Sequence, residues 1–155
     1  MRLSIELANL EAEDFVSLIA AHKSLMLETS PPESSHALLI DGLKAPAMTV
    51  WEMRIGGLLV GCGSLKRLLE GSSGEIKSMH TAAQFRRSGL GRQMLSFLIA
   101  EARERYYTAL YLETGAQAAF YPARKLYEQA GFVYCGPFEG YSEDPNSVFM
   151  KLALD

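Results

Sequence analysis

The stretch EIKSMHTAAQFRRSGLGRQML, residues 75–95, decides how the rest of the chain can fold. It begins as a strand-like run, continues as a polar turn, and restarts at Gly89 as an amphipathic helix. The turn places Arg86, Arg87, Gly89 and Gly91 around the start of that helix. The first N–H groups of a helix have no partner within it, and the helix dipole adds partial positive charge there. Glycines let a ligand approach this backbone and arginines bind phosphate through forked bonds, so the stretch predicts an anion site.

Spacing excludes the two common nucleotide-binding loops. A P-loop requires a glycine followed by Lys and then Ser or Thr, whereas Gly91 is followed by Arg92 and Gln93. A dinucleotide fingerprint requires a third glycine three positions after Gly91, where this chain has Met94. A solvated arginine pair is the alternative interpretation of the turn, and the two glycines favour the anion site over it.

Composition is that of an ordinary globular protein. The chain has 155 residues, of which 48% are hydrophobic and 21% charged, and a formal net charge of −3. This length suits a single domain, residues 1–155, and the charge gives no reason to expect nucleic acid or acidic membranes as partners. Cys62 and Cys135 lie in apolar contexts without metal-ligand spacing, which favours free thiols and no metal site. The sequence shows neither a signal core nor a membrane-length apolar run, so we expect a cytoplasmic protein.

Apolar residues recur with strand or helix spacing along the whole chain. Gly56-Gly57 is a two-residue hairpin signal, Pro122 suits the first turn of a helix, and Gly131 suits a left-handed helix end. The predicted strands are 2–7, 48–55, 58–68, 75–81, 108–113, 132–138 and 147–154, and the predicted helices are 11–28, 35–43, 89–105 and one that follows the turn at 114–117 and ends at Ala130. This order predicts an α+β fold around one mixed sheet, with a parallel crossover through the Gly89 helix.

Two motifs in this chain are similar to the signatures of a known family. Arg86-x-x-Gly89-x-Gly91 resembles the acetyl-CoA pyrophosphate loop of the GNAT N-acetyltransferase superfamily. The segment 123–132 resembles the second signature, a helix ending in Leu-Tyr-x-x-x-Gly-Phe, and the segment 30–36 resembles a group of small bacterial members. The resemblance covers nearly the whole chain. It implies a single GNAT-like domain with a mixed, mostly antiparallel sheet of about seven strands flanked by about four helices.

The resemblance also implies a site for acetyl-CoA as co-substrate. In this family the strand before the loop and the strand after its helix splay apart, and the pantetheine arm bonds the first strand's backbone as an added strand would. Arg87 departs from the family, whose members often carry glycine there. Arg124 and Lys125 would lie near the far end of the cofactor or be solvated helix charges. By position, the cofactor-binding residues are Met79 and Thr81 on the strand, and Arg86, Arg87, Ser88, Gly89, Leu90 and Gly91 around the pyrophosphate.

Transfer of an acetyl group to an amine needs an unprotonated nucleophile, stabilisation of the oxyanion, and a proton for the departing thiolate. Tyr127 matches the family tyrosine that faces the sulfur, which implies a general acid; the alternative is a packed helix tyrosine. Glu75 lies eleven residues before Arg86, as the catalytic glutamate does in histone-type members, so it is the leading base. A solvated Glu75 is the open alternative, and Glu113 and His80 are weaker candidates. The backbone N–H of Met79 would hold the oxyanion.

The acceptor site is implied by position alone. In this fold it is built from the first two helices, their loop and the last hairpin, where Glu28, His36 and Tyr141 are the candidate substrate-binding residues. The sequence predicts a small-molecule amine as acceptor, with a protein acceptor or a CoA-binding module without turnover as alternatives. A plain interaction domain is a further alternative. A homodimer is an expectation from the family only.

Overall fold

One sheet of seven strands runs through the computed structural model, which describes residues 2–32, 36 and 38–154. Short 3₁₀ turns at Ala83–Phe85 and Ala118–Phe120 precede the last two helices. The strands are β1 Leu3–Leu7, β2 Met48–Ile55, β3 Leu58–Arg67, β4 Ser73–Thr81, β5 Ala109–Gly115, β6 Val133–Cys135 and β7 Ser147–Ala153, and the helices are α1 Glu13–Thr29, α2 Ile40–Leu43, α3 Leu90–Glu104 and α4 Tyr121–Gln129.

The sheet has the order β1-β2-β3-β4-β5-β7-β6, and all neighbours are antiparallel except β4 and β5. The predicted α+β architecture and the parallel crossover through α3 are therefore confirmed. Gly56 and Gly57 join β2 to β3 with φ angles of 57° and 86°. Two positive φ angles in a row are what a two-residue hairpin of the primed type requires, which is why glycines stand there.

The central pair of strands is joined over a short distance only. Residues Ser73–Glu75 of β4 pair with Ala109–Tyr111 of β5, after which β4 stays with β3 and β5 stays with β7. The register of β3 and β4 shifts between Cys62 and Ser64, and Ser78 opposite the shift has a φ angle of 49°. Such a bulge bends its strand. The two strands consequently diverge beyond Glu75, which is the gap that the family resemblance implies.

Apolar residues cover both faces of the sheet. One cluster packs α3 and α4 on one face, and a second packs α1 and α2 on the other. The predicted helix stripe is confirmed at Leu90, Met94, Leu98 and Ala102, whereas Phe97 is only half-buried. None of the described helices is long and apolar enough to cross a membrane.

Two predicted elements were wrong in their extent, while the other boundaries differ by at most three residues. The second helix begins at Ile40, because Leu39 is extended, and the predicted start at Ser35 lies outside the described residues. β6 spans Val133–Cys135 rather than 132–138. Pro137 has no N–H to donate to a ladder, and Phe132 is buried against the α3 face. The segment 136–146 therefore leaves the sheet after β6 and packs on the face that carries Glu75 and Tyr111, opposite α3.

Candidate active site

The predicted anion loop forms an exposed rim at the start of α3. Gly89 is the N-cap residue with a φ angle of 84°, and a Cβ placed on it would meet nothing within 4 Å. The Ser88 hydroxyl donates to the Phe85 carbonyl, and Arg86 Nε donates to the Thr81 carbonyl at 3.3 Å. These bonds hold the turn while residues 86–89 stay exposed. The first N–H groups of α3 thus face solvent beside two arginines, an arrangement that fits a phosphate group.

Arg87 adopts a left-handed conformation, with a φ angle of 63°. This region is disfavoured for side chains with a Cβ and free for glycine. The backbone geometry therefore explains why glycine is common at this position in the family. In this chain the arginine adds backbone strain to the loop, while its N–H is retained.

The divergent end of β4 connects this loop to the centre of the sheet. Met79 packs against the α3 cluster, and Thr81 Oγ1 lies 3.9 Å from the position of a Cβ on Gly91. The cleft between β4 and β5 thus runs from the sheet centre to the loop. An unpaired strand edge that ends at a helix N-terminus fits an extended ligand chain carrying a pyrophosphate.

Glu75 is buried at the centre of the sheet, with 2% of its surface exposed. Its Oε2 accepts a hydrogen bond from the Tyr141 hydroxyl at 2.6 Å and contacts Lys77 Nζ at 3.4 Å, while that ammonium donates to the Tyr141 oxygen at 3.0 Å. The alternative of a solvated Glu75 is therefore wrong. The carboxylate is covered by its partners on the side that faces the 136–146 segment.

Glu113 lies on the same face, two residues beyond the last β4–β5 pair. Burial raises the pKa of Glu113 to about 7, against the Ser147 hydroxyl and the Lys77 ammonium, which lower it. The sequence made Glu113, like His80, a weaker candidate for the base than Glu75. The sequence signal was present as alternation along β5, where Leu110 and Leu112 enter the core and Glu113 points the other way.

Tyr127 is buried on α4, with its ring 5.8 Å from that of Phe132. Burial and the nearby Glu113 carboxylate raise the pKa of Tyr127 to about 12. Within residues 2–32, 36 and 38–154 we find no hydrogen-bond partner for its hydroxyl. The phenol therefore stays protonated at neutral pH and keeps its proton available for a ligand.

The predicted acceptor residues are only partly brought together. Tyr141 belongs to an aromatic cluster with Phe138 and Phe149, and the His36 ring stands edge-on to it at 4.9 Å. Burial and Lys77 lower the pKa of His36. Glu28 is exposed on the last turn of α1 and makes none of the described contacts with this cluster.

Three further candidates have structural roles. His80 Nδ1 lies 3.1 Å from His22 Nδ1, so its ring nitrogen is occupied by α1. Arg124 donates to the carbonyls of Gly115 and Gln117, and Lys125 is exposed and paired with Glu128. A contact of either cation with the far end of the cofactor stays a prediction. The described part of the chain contains no cluster of metal-ligating side chains.

Comparisons with known proteins agree with this geometry. The family model described as the acetyltransferase (GNAT) family matches residues 6–132. The chain is 49% identical over 152 residues to the N-acetyltransferase YsnE of Bacillus subtilis, covering 98% of this chain and 100% of that one. It is 37% identical to the IAA acetyltransferase of Azospirillum brasilense, covering 90% of each chain. A solved GNAT family acetyltransferase from Elizabethkingia anophelis, with acetyl-CoA bound, superposes with a TM-score of 0.72 at 19% identity, covering 98% of both chains.

Proposed function

This chain belongs to the GNAT acetyltransferase family, whose co-substrate is acetyl-CoA, and we propose that it transfers the acetyl group to the amine of a small molecule. The observation that carries the proposal is the cleft between β4 and β5. It opens at Glu75, ends at the N-terminus of α3, and is bordered by Glu113 and Tyr127. An acyl donor held along this cleft would present its thioester to both side chains.

The donor would be held mainly by backbone groups. Met79 and Thr81 line the free edge of β4, and residues Arg86 to Gly91 surround the α3 N-terminus with N–H groups and two guanidinium groups. Acetyl-CoA supplies an activated acyl group at one end and a pyrophosphate at the other. The charge and the exposed N–H groups of the loop suit the pyrophosphate end.

Two carboxylates are candidates to take the proton of the amine, and we favour Glu113. Glu75 Oε2 accepts from both Tyr141 and Lys77, so this oxygen could take a proton only if these partners move. Glu113 has a pKa near neutral, which is the value that suits a general base at neutral pH. Glu75 then acts by fixing Tyr141 and Lys77 beside the acceptor.

Tyr127 and Met79 complete the proposed machinery. The protonated Tyr127 phenol donates its hydrogen bond, and then its proton, to the departing thiolate. The backbone N–H of Met79 stabilises the oxyanion from the bulged part of β4. Both roles are those that the family resemblance implies, and the buried, protonated Tyr127 phenol supports the first of them.

A small-molecule acceptor is favoured over a protein by the 136–146 segment. Its Phe138 and Tyr141 fold over the sheet beside Glu75 and narrow the approach to the two carboxylates. The relative named IAA acetyltransferase is also consistent with a small acceptor. A cytoplasmic location and a single domain over 1–155 stay predictions from the sequence, and a homodimer stays an expectation from the family.

Calorimetric titration with acetyl-CoA tests the proposal. We expect a dissociation constant in the low-micromolar range, about −8 kcal/mol, and its loss in Gly89→Glu, whose carboxylate would stand in the anion site. Gly57→Glu is the matched control, because Gly57 also has a positive φ angle of 86° and nothing within 4 Å of a Cβ. That variant should bind normally.

Two outcomes would redirect the proposal. Binding of acetyl-CoA without thiol release in the presence of any amine would favour a CoA-binding module. Equal loss of binding in both glycine variants would mean that strain, not the anion site, explains the Gly89 result. A wild-type protein that binds no CoA compound would leave the fold without the transferase function.

A further inference from the structure

A groove of about 480 Å³ lies on the Glu75 side of the sheet, at the opposite end of β4 and β5 from the anion loop. Its floor includes Ser73 and Ala109, the first residues of those strands, and it ends at Tyr111 and Phe138. This volume is within the range of small-molecule sites. The cleft proposed for acetyl-CoA begins where this groove ends.

Three side chains form a row on this face of the sheet; Tyr111 and Lys151 line the groove, and Glu75 lies beside it. Tyr111 pairs with Glu75 on one side and with Lys151 on the other, and paired residues of neighbouring strands point to the same face. Strands lie about 4.8 Å apart, so the row from Glu75 to Lys151 spans about 10 Å. Glu113 stands one side-chain step beyond Tyr111 on the same face. A carboxylate, an aromatic ring and an ammonium thus follow one another.

The ammonium at the end of the row is available to an anion. Lys151 Nζ lies 5.5 Å from the centre of the Tyr111 ring, and no carboxylate of residues 2–32, 36 and 38–154 forms an ion pair with it. The groove wall also carries two carboxylates, which accept from neutral donors: Glu139 from the Leu69 N–H at 2.6 Å, and Glu70 from the Ser73 hydroxyl, which lowers the pKa of Glu70. Among the described lining residues Lys151 is therefore the group that would attract an anion.

The aromatic part of the row is preorganised. Phe138 lies 4.9 Å from Tyr111 at a tilt of 38°, and it also contacts Tyr141, which donates to Glu75. A flat ring inserted along the groove would pack against the Tyr111–Phe138 pair. Aromatic contacts therefore link the groove to the site of proton transfer.

We propose that the acceptor is a primary amine that carries a flat ring and, at its far end, a carboxylate held by Lys151. The amine would face Glu113 and the acetyl group, the ring would pack on Tyr111 and Phe138, and the carboxylate would bond Lys151. This inference rests on the proposed transferase function for the amine. The transfer forms the amide C–N bond, breaks the thioester C–S bond, and moves one amine proton to Glu113, while the departing CoA thiolate takes a proton from Tyr127.

Binding in the groove can be tested without turnover. We would record saturation-transfer NMR spectra of 4-methylbenzoate, a ring with a carboxylate but no amine, on the wild type, Lys151→Gln and Lys44→Gln. Lys44 is an exposed control lysine on the opposite half of the molecule, paired with Glu11. We expect a signal with the wild type and the control, and its loss in Lys151→Gln. Absence of a wild-type signal, or an unchanged signal in Lys151→Gln, would overturn the inference.

Turnover with three matched amines tests the acceptor class. We would compare 4-(aminomethyl)benzoate with benzylamine, which lacks the carboxylate, and with 4-(aminomethyl)cyclohexanecarboxylate, which lacks the flat ring. We expect kcat/KM to be about tenfold higher or more for the first, and Lys151→Gln to remove its advantage over benzylamine, since a charge-assisted bond is worth about tenfold in affinity.

The failures of the two proposals are distinguishable. Equal rates for the three amines, or binding of acetyl-CoA with no reaction of any of them, would refute the acceptor class and leave the donor site intact. If acetyl-CoA does not bind, the transferase function fails, while the NMR experiment still decides whether the groove holds an aromatic carboxylate.

Discussion

Two single residues have an unfavourable backbone conformation or an unfavourable environment for a charge. Arg87 has a left-handed backbone, and Glu113 carries a carboxyl group whose pKa is raised by burial. Both lie along the cleft between the anion loop and the centre of the sheet. Strained and desolvated groups of this kind concentrate at functional sites.

Substitution of Arg87 by glycine should stabilise the protein slightly. The left-handed region costs a residue with a Cβ about 1–2 kcal/mol, which glycine avoids. The greater freedom of glycine in the unfolded chain reduces this gain by about 0.5–1 kcal/mol. A net gain of about 0.5 kcal/mol is expected in urea unfolding, with acetyl-CoA binding retained because the N–H remains. Arg103→Gly, the same change on an exposed helical position, should instead lose about 1 kcal/mol. Destabilisation of both variants alike would contradict the assigned strain.

Removal of the Glu113 carboxyl group should abolish the pH dependence of catalysis near neutrality. With the base ionised above its pKa of about 7, kcat/KM of the wild type should rise through pH 7 and level off. Glu113→Gln should lower kcat by about 10²–10⁴-fold, and its kcat/KM should no longer rise through pH 7, a rise called here the acidic limb. Glu75→Gln should keep the limb at a reduced rate. The reverse result, with the limb lost only in Glu75→Gln, would return the role of base to Glu75.

Pairs of elements are held in register by a few buried polar contacts. His22 and His80 tie α1 to the bulged half of β4, and Arg124 ties the start of α4 to the end of β5. Each contact lies next to a residue proposed to act in catalysis, Met79 in the first case and Tyr127 in the second. Side chains outside the reaction thus determine where the reacting groups lie.

The histidine pair should make the protein sensitive to acid. Burial lowers the pKa of His22 to about 4 and that of His80 to about 3, so the unfolded chain binds more protons below its ordinary pKa of 6.5. The stability they contribute is present above pH 6.5 and is lost as the pH falls through 4 and 3. For His22 this loss is on the order of 3 kcal/mol. The variant that carries both His22→Gln and His80→Gln should lose less free energy of unfolding between pH 7 and pH 4 than the wild type, as measured by urea unfolding. An equal loss in the two proteins would refute the assignment.

Replacement of Arg124 by methionine should destabilise α4 and slow catalysis. The half-buried guanidinium donates to two backbone carbonyls at 2.8 and 2.9 Å, and charged hydrogen bonds contribute about 1.5–3 kcal/mol each. Because both bonds start from one nitrogen of a half-exposed group, we expect less than the sum, a loss of about 2 kcal/mol by urea unfolding. We also expect a lower kcat, because Tyr127 lies one turn further on. Lys125→Met, on the exposed face, should change stability by about 0.5 kcal/mol or less. Equal effects of the two changes would show that the Arg124 bonds to the Gly115 and Gln117 carbonyls do not stabilise the protein.

At the scale of the whole molecule, the sheet consists of two halves joined by three residue pairs. The strands β1 to β4 form one half and β5, β7 and β6 the other, with Ser73–Glu75 and Ala109–Tyr111 between them. α3 and the packed core on its face also connect the halves. A ligand in the cleft would contact both sides of this junction.

Acetyl-CoA should therefore stabilise the molecule and protect the edge of β4. At a concentration 100 times its dissociation constant, a ligand stabilises the folded state by about 2.7 kcal/mol, which is a rise in Tm of about 5–10 °C for a chain of this size. Hydrogen exchange of the amides in residues 76–81 should slow with acetyl-CoA and remain unchanged with free acetate. Binding without protection of these amides would place the donor elsewhere.

Local chemistry was sufficient to predict much of this protein from its sequence. The two glycines at 56 and 57 predicted the tight hairpin, and the stripe from Leu90 to Ala102 predicted the buried helix face. The Arg86–Gly91 spacing predicted an anion site, and the structure has a helix start there. Each of these depends on backbone conformation or periodicity within a few residues. Membership of the family followed from two such local motifs taken together.

Only the tertiary structure decided which carboxylate faces the cleft and what surrounds it. Tyr141 covers Glu75 from 66 residues away, His22 occupies His80 across 58 residues, and Lys151 joins Tyr111 through strand pairing. These contacts depend on how distant strands pair and on how the 136–146 segment folds over the sheet, which no local pattern records. The sequence therefore determined that an acyl donor can be held, whereas the packing of distant side chains determined the protonation of the site and the shape offered to the acceptor.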